Sequence, residues 1–177
     1  METTKGQAPA MRIGYGFDSH EFSPGVPLKI GGITIEHHKG LAGHSDGDVL
    51  LHAITDALLG AVAAPDIGTL FPPSDPKWKG ADSVVFLAES LKQVRNRGYS
   101  VANIDATLIL AQPKIGPHSP AIRTRVAALL GINGDCVGLK AKTPEGLNLD
   151  NTAAAHVVVL LEKSRNRARQ KKRLPAG

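Results

Sequence analysis

The chain has 177 residues, 42% of them hydrophobic, enough for one domain with an ordinary core. Its single cysteine, Cys136, excludes an internal disulfide, and no apolar run approaches the roughly 20 residues of a bilayer-spanning helix. The net charge of +5 belongs to one end: seven bases and no acid follow from Lys163 onward, leaving 14 bases against 16 acids in the body.

That basic run, 163–177, is read as a solvated C-terminal tail. With only 4% aromatic residues the chain lacks the stacking groups of an RNA-binding surface. Neither nucleic acid nor membrane is expected as a partner, and a cytoplasmic protein is the expectation. Residues 1–10 have no periodicity and read as an N-terminal extension.

The run M-R-I-G-Y-G-F-D-S-H, 11–20, predicts a strand with Ile13, Tyr15 and Phe17 on one face. Asp18 and His20 then point to one side together. Gly14 and Gly16 weaken a strand, so another backbone or a ligand is expected to pass close to them. L-K-I-G-G-I-T-I, 28–35, predicts a hairpin turning at Gly31-Gly32. His37 and His38 follow in a polar loop and are read as facing solvent, and Cys136 as a buried strand residue.

The stretch H-S-D-G-D-V-L-L-H-A-I-T-D-A-L-L-G, 44–60, predicts a helix capped by Ser45 or Asp46, with Leu51, Ile54, Leu58 and Val62 on its apolar face. Asp48, His52 and Asp56 form a second row at four-residue steps. The eighteen residues from Ala63 to Gly80 are rich in proline and glycine. Carrying Asp66 and Asp75, they suit a lid over a charged substrate. Further on the pattern predicts a helix over 81–97 (Val85, Leu87, Leu91 and Val94 inward), a strand from Val101, a helix over 119–130 closed by Gly131, and strands from Cys136 and Thr152. The fold class that follows is α+β, an α/β sandwich with helices packed on one face of a mixed sheet. The Val157-Val158-Val159 run suits a strand covered on both faces, or an ordinary core strand under helices.

Asp18, His20 and His52 make a set of two imidazoles and one carboxylate. Three protein ligands of this kind hold zinc while leaving a fourth position open, and manganese or iron suits similar donors. Asp56, one turn from His52, is read as the acid behind that histidine.

The motifs G-x-G-x-D-x-H, H-S-D-G-D-x-x-x-H-A-x-x-D-A-L-L-G, D-I-G-x-x-F-P, K-G-A-D-S and A-Q-P-K-I resemble those of the 2-C-methyl-D-erythritol 2,4-cyclodiphosphate synthase family, over about 11–162. The resemblance implies a cyclising, CMP-releasing enzyme of the non-mevalonate isoprenoid pathway, acting on the CDP derivative of methylerythritol 2-phosphate. It implies zinc on Asp18, His20 and His52, and magnesium or manganese on Glu145. His44 and Thr143 would stabilise the transition state. His44, Ser45, Asp66, Ile67 and Gly68, with Phe71, Pro72, Pro73, Ser74 and Asp75, would surround the sugar-derived part of the substrate. Leu110, Ala111, Gln112, Pro113, Lys114, Ile115 and Gly116 would form the cytidine pocket. Lys142, Thr143, Pro144 and Glu145 would lie beside the phosphates, and Leu149 and Thr152 nearby. A homotrimer with sheets facing the threefold axis is implied too, each site shared between two subunits.

The sequence departs from this family at three places. Pro73 stands where many relatives carry an acid, Lys142 and Pro144 replace common hydroxyl residues, and Thr152 replaces an arginine facing the trimer's central cavity. Thr152 cannot supply the ionic contact that such an arginine would make to isoprenoid diphosphates lodged in that cavity. The competing reading is a non-catalytic, zinc-containing nucleotide-binding module.

Overall fold

The structure is a computed structural model and describes residues 8–146 and 150–164. Leu149 and the basic run beyond Ser164 lie outside the described residues. In chain order the elements are β1 (Met11–Pro24), β2 (Leu28–Ile30), β3 (Ile33–Ile35), β4 (Lys39–Leu41), α1 (Val49–Ala61), α2 (Ile67–Leu70), α3 (Ser83–Asn96), β5 (Tyr99–Ile109), α4 (Ser119–Leu130), β6 (Val137–Lys142) and β7 (Thr152–Lys163). The main sheet has five strands in the order β4-β1-β7-β5-β6, and β2 and β3 form the predicted hairpin. All pairs in the main sheet are antiparallel except β5 with β6.

β1 and β7 are the spine, paired from Met11 opposite Glu162 to Glu21 opposite Thr152. Side chains alternate across a strand, so Gly14 and Gly16 share a face with Asp18 and His20. A methyl group added at Gly14 would meet the Ala57 carbonyl at 1.8 Å, and one at Gly16 the Ala53 carbonyl at 2.0 Å. The helix α1 thus lies backbone against backbone on β1, which is the close approach the glycines predict. The same geometry brings His52, near the start of α1, down beside Asp18 and His20. Leu50, Leu51, Ile54 and Leu58 are fully buried around this contact. Truncating one of them to alanine costs about 2–5 kcal/mol.

The other face of the sheet is uncovered. Ile13 is 70% exposed, Tyr15 57%, Phe17 48% and Val158 45%, while Val157 and Val159 are fully buried. Among the described residues, β7 is therefore covered on one face only.

Several local expectations shift. The cap of α1 is Asp48, which accepts from Leu51 N–H at 3.0 Å. Its carboxylate also accepts from Gly31 N–H (2.9 Å) and Gly32 N–H (2.6 Å), so it pins the hairpin to the start of the helix. Neither Ser45 nor Asp46, the caps expected from the sequence, serves here, because Gly47 turns the chain at φ 71° and only then does the helix begin. Val85 is exposed. The inward stripe is set by Leu87, Leu91 and Val94, and three residues before Leu87 stands Val84, which packs on the core. Cys136 is half-buried in a 3-10 turn (Gly134–Cys136) ahead of β6. His38 is exposed as expected, but His37 is half-buried. Its Nδ1 lies 2.9 Å from the Lys39 carbonyl, and its ring packs against those of Phe22 and His38.

Candidate active site

Asp18 Oδ2, His20 Nε2 and His52 Nδ1 form a triangle with edges of 2.9, 2.9 and 3.1 Å. Donors placed tetrahedrally at zinc bond lengths stand roughly 3.3 Å apart, so the donors are already gathered as an ion with one open position needs. His52 is buried, and Asp18 and His20 are half-buried. Burial pushes the Asp18 carboxyl up, but hydrogen bonds and charge from His20 and His52 outweigh it and hold the pKa at about 2. Burial lowers the His20 pKa, and the Asp18 hydrogen bond and charge more than reverse this. The set therefore draws positive charge, which a proton supplies when a cation does not.

The far nitrogen of His52 is held by hydroxyls. Nε2 lies 3.0 Å from Ser45 Oγ and 2.9 Å from Ser83 Oγ. Asp56 does not stand behind His52. Its carboxylate accepts from Ile67 N–H at 2.8 Å, and no hydrogen bond joins it to the ring. The start of α2 leaves its first N–H groups without helical partners, and the nearby carboxylate takes one of them.

A cavity of about 150 Å³ opens in front of the triangle, lined by His20, His44, Ser45, His52, Ile67, Gly68, Phe71 and Pro73. Trp78 and Phe86 complete its wall. Phe71 packs its ring 5.1 Å from Trp78 and 4.7 Å from Phe86. Sequence reasoning missed these two residues. The available signal was the chain's only tryptophan, set in a loop already assigned to a lid. The lid is less irregular than predicted: Asp66 caps α2 through Thr69 N–H, and Asp75 caps a 3-10 turn (Pro76–Trp78) through Lys77 N–H. Those two carboxylates are spent on backbone. They do not line the cavity, and neither do Pro72 or Ser74.

A second cavity, of about 530 Å³, lies at the far end of β5 and β6. Leu110, Pro113, Lys114, Ile115 and Gly116 form one wall, and Lys142, Thr143 and Glu145 another. Pro117, Ser119, Leu139 and Ala141 also line it, unforeseen in the sequence. The Thr143 hydroxyl donates to the Glu145 carboxylate. Glu145 holds a positive φ of 48°, a conformation that costs a non-glycine residue about 1 kcal/mol or more and is commonest at functional turns. Pro144 is buried beneath the turn. Ala111 and Gln112 face a different groove, beside His37, His38 and Asp150. Thr152 opens β7 opposite Glu21. The metal cavity and the large cavity share no lining residue.

A mixed sheet carrying a carboxylate–imidazole triangle beside a cavity fits a defined class, and the chain belongs to the YgbB family, whose pattern matches residues 11–162. The chain is 69% identical over 153 residues to the 2-C-methyl-D-erythritol 2,4-cyclodiphosphate synthase of Koribacter versatilis (strain Ellin345), covering 86% of this chain and 99% of that one. It is 54% identical over 155 residues to the chloroplastic enzyme of that name from Arabidopsis thaliana, covering 86% of this chain and 67% of that one. Its fold matches a solved 2C-methyl-D-erythritol-2,4-cyclodiphosphate synthase in a CDP-bound form with a TM-score of 0.81 and 44% identity, over 85% of this chain and 100% of that one. Among the described residues no helix is long and apolar enough to cross a membrane.

Proposed function

We propose that the protein converts 4-CDP-2-C-methyl-D-erythritol 2-phosphate into 2-C-methyl-D-erythritol 2,4-cyclodiphosphate and CMP, as a phosphorus–oxygen lyase of the non-mevalonate isoprenoid pathway. The observation that carries the reading is the Asp18–His20–His52 triangle facing a lidded cleft, in a chain of this family.

In the reaction an oxygen of the 2-phosphate attacks the β-phosphorus of the same molecule. The bond from that phosphorus to the bridging oxygen breaks, and CMP leaves with the oxygen. Phosphoryl transfer asks the protein for position and charge rather than covalent help. Leu110, Pro113, Lys114, Ile115 and Gly116 would seat the cytidine end by backbone contacts in the large cavity, and Lys142 would draw in the phosphates. Ile67, Gly68, Phe71 and Pro73 would close over the methylerythritol part and keep water out, with Asp66, Pro72, Ser74 and Asp75 shaping the lid. His44 and Thr143 would donate to the oxygens that gain charge in the transition state. Zinc on Asp18, His20 and His52, and magnesium or manganese on Glu145 with the diphosphate, would supply positive charge to the phosphate oxygens.

The two cavities have separate walls, which supports a site completed by a second subunit. The exposed apolar face of β1 and β7 supports a homotrimer with sheets turned to the axis, since a head-to-tail contact closes into a ring when its rotation is threefold.

Incubating the purified protein with substrate, zinc and magnesium should release CMP and the cyclic diphosphate in equal amounts. Retained CDP affinity without CMP release would leave the non-catalytic nucleotide-binding module in its place.

A further inference from the structure

The metal ligands stand on β1 and α1, yet the far nitrogen of His52 is met from a third element. Ser83, at the start of α3, is fully buried. We propose that Ser83 is a positioning residue for the metal: its hydroxyl fixes the tautomer of His52 so that the Nδ1 lone pair is free for the ion. The inference rests on the metal reading of Asp18, His20 and His52 and names what holds that set in its binding form.

The argument follows from who can donate. Ser83 Oγ is hydrogen-bonded to Asp46 Oδ1 and lies 2.9 Å from His52 Nε2. Asp46 also accepts from the Ser83 N–H at 3.3 Å and pairs with Lys29 Nζ at 3.1 Å, and Lys29 sits 3.9 Å from Asp82 as well. Burial pushes the Asp46 carboxyl up, and the bonds from Ser83 and Lys29 outweigh that push and keep it charged. A carboxylate only accepts, so the single hydroxyl hydrogen of Ser83 goes to Asp46. Ser83 then turns only lone pairs toward His52, and Nε2 must carry the ring hydrogen. That leaves Nδ1 bare, and Nδ1 is the atom facing Asp18 and His20. The opposite tautomer would set two lone pairs against each other at 2.9 Å and point an N–H into the metal position.

Ser45, 3.0 Å from the same nitrogen, does not decide the tautomer. Its hydroxyl is free to donate or accept, and it lines the substrate cavity. The chain His52–Ser83–Asp46–Lys29 is thus the arrangement sequence spacing had assigned to Asp56. It reaches the metal from the A-D-S of the lid's far end, where Gly80 N–H and Ala81 C=O bond the backbone of His44 and Asp46.

The test measures zinc affinity of the full chain by competition with a chromophoric chelator, independent of turnover. Wild type is expected to bind zinc, and His52→Ala to lose it. Ser83→Ala should weaken zinc by about 10–100-fold, the usual cost of losing the partner of a ligating histidine. Asp46→Asn should weaken it by a smaller factor, because a neutral amide lets the Ser83 hydrogen turn back toward Nε2. Visible spectra of the cobalt-substituted proteins should change in Ser83→Ala as His52 reorients. Wild-type zinc affinity and an unchanged cobalt spectrum in Ser83→Ala would overturn the proposal. If that variant does not fold, unchanged affinity in Asp46→Asn overturns it. Zinc binding that survives His52→Ala would instead remove the metal reading beneath it.

Discussion

Asp18, His20 and His52 are held by the packing of α1 on β1, while Lys142, Thr143 and Glu145 stand exposed where β6 ends. His20 and His52 of the first group line a cavity of about 150 Å³, and the second group lines one of about 530 Å³. A small cation needs donors fixed to within tenths of an ångström, and only a closed backbone contact such as that at Gly14 and Gly16 gives this. On the proposed reading, the nucleotide end of the substrate needs instead a broad wall such as the larger cavity offers. One half is finished within the chain, and on the proposed reading a neighbouring subunit completes the other.

The largest effect should come from breaking the finished half. His52→Ala should remove stoichiometric zinc and bring CMP release to background, while circular dichroism stays that of a folded protein. The apolar face of α1 is untouched by the change, and an open site of this kind is not a structural staple. Normal turnover with zinc retained would sink the metal assignment.

Nearly as large an effect is expected from the uncovered face. Ile13→Asp places a charge where the side chain is 70% exposed in the single chain, so its own stability should fall by about 1 kcal/mol or less. Sedimentation should show assembly lost, and turnover should go with it even though the metal triangle is intact. A fully active monomer would show that one chain makes both halves.

What the sequence disclosed tracks this same division. Asp18 and His20 were legible because strand alternation fixes their side, and Gly14 and Gly16 because only a close backbone explains them. The two aromatic wall residues, Trp78 and Phe86, were not. They meet Phe71 across the lid, and no local periodicity encodes that contact. Spacing misled at Asp48 and Asp56, which share a helical row with His52. Both carboxylates are taken by backbone N–H groups from other segments, Gly31 and Gly32 in one case and Ile67 in the other. Neighbours along a helix compete with tertiary donors, and orphan N–H groups of turns and helix starts win often. The residues of the large cavity came from resemblance alone, since exposed loop positions carry no periodic signal.

Thr143→Ala should be milder than either change above, lowering kcat by about 10²–10³-fold, the scale of losing one donor to transition-state charge. It should leave zinc in place. Mixed equally with His52→Ala, unfolded and refolded together, it should regain activity, because about a quarter of randomly formed interfaces then join two intact halves. Mixed assemblies that stay as inactive as the separate variants would refute the shared site.

The smallest effect separates Asp56 from the metal. Asp56 is held by Ile67 N–H at 2.8 Å, and burial pushes its carboxyl up despite that bond. Asp56→Asn keeps an accepting oxygen and loses only the charge assistance, about 1 kcal/mol. That loss falls on the tether between α1 and the first turn of the lid. KM should therefore rise about fivefold, with zinc affinity within about threefold of wild type. A zinc affinity that drops tenfold or more, with the lid still ordered, would put Asp56 back behind His52 and make the finished half larger than its hydrogen bonds show.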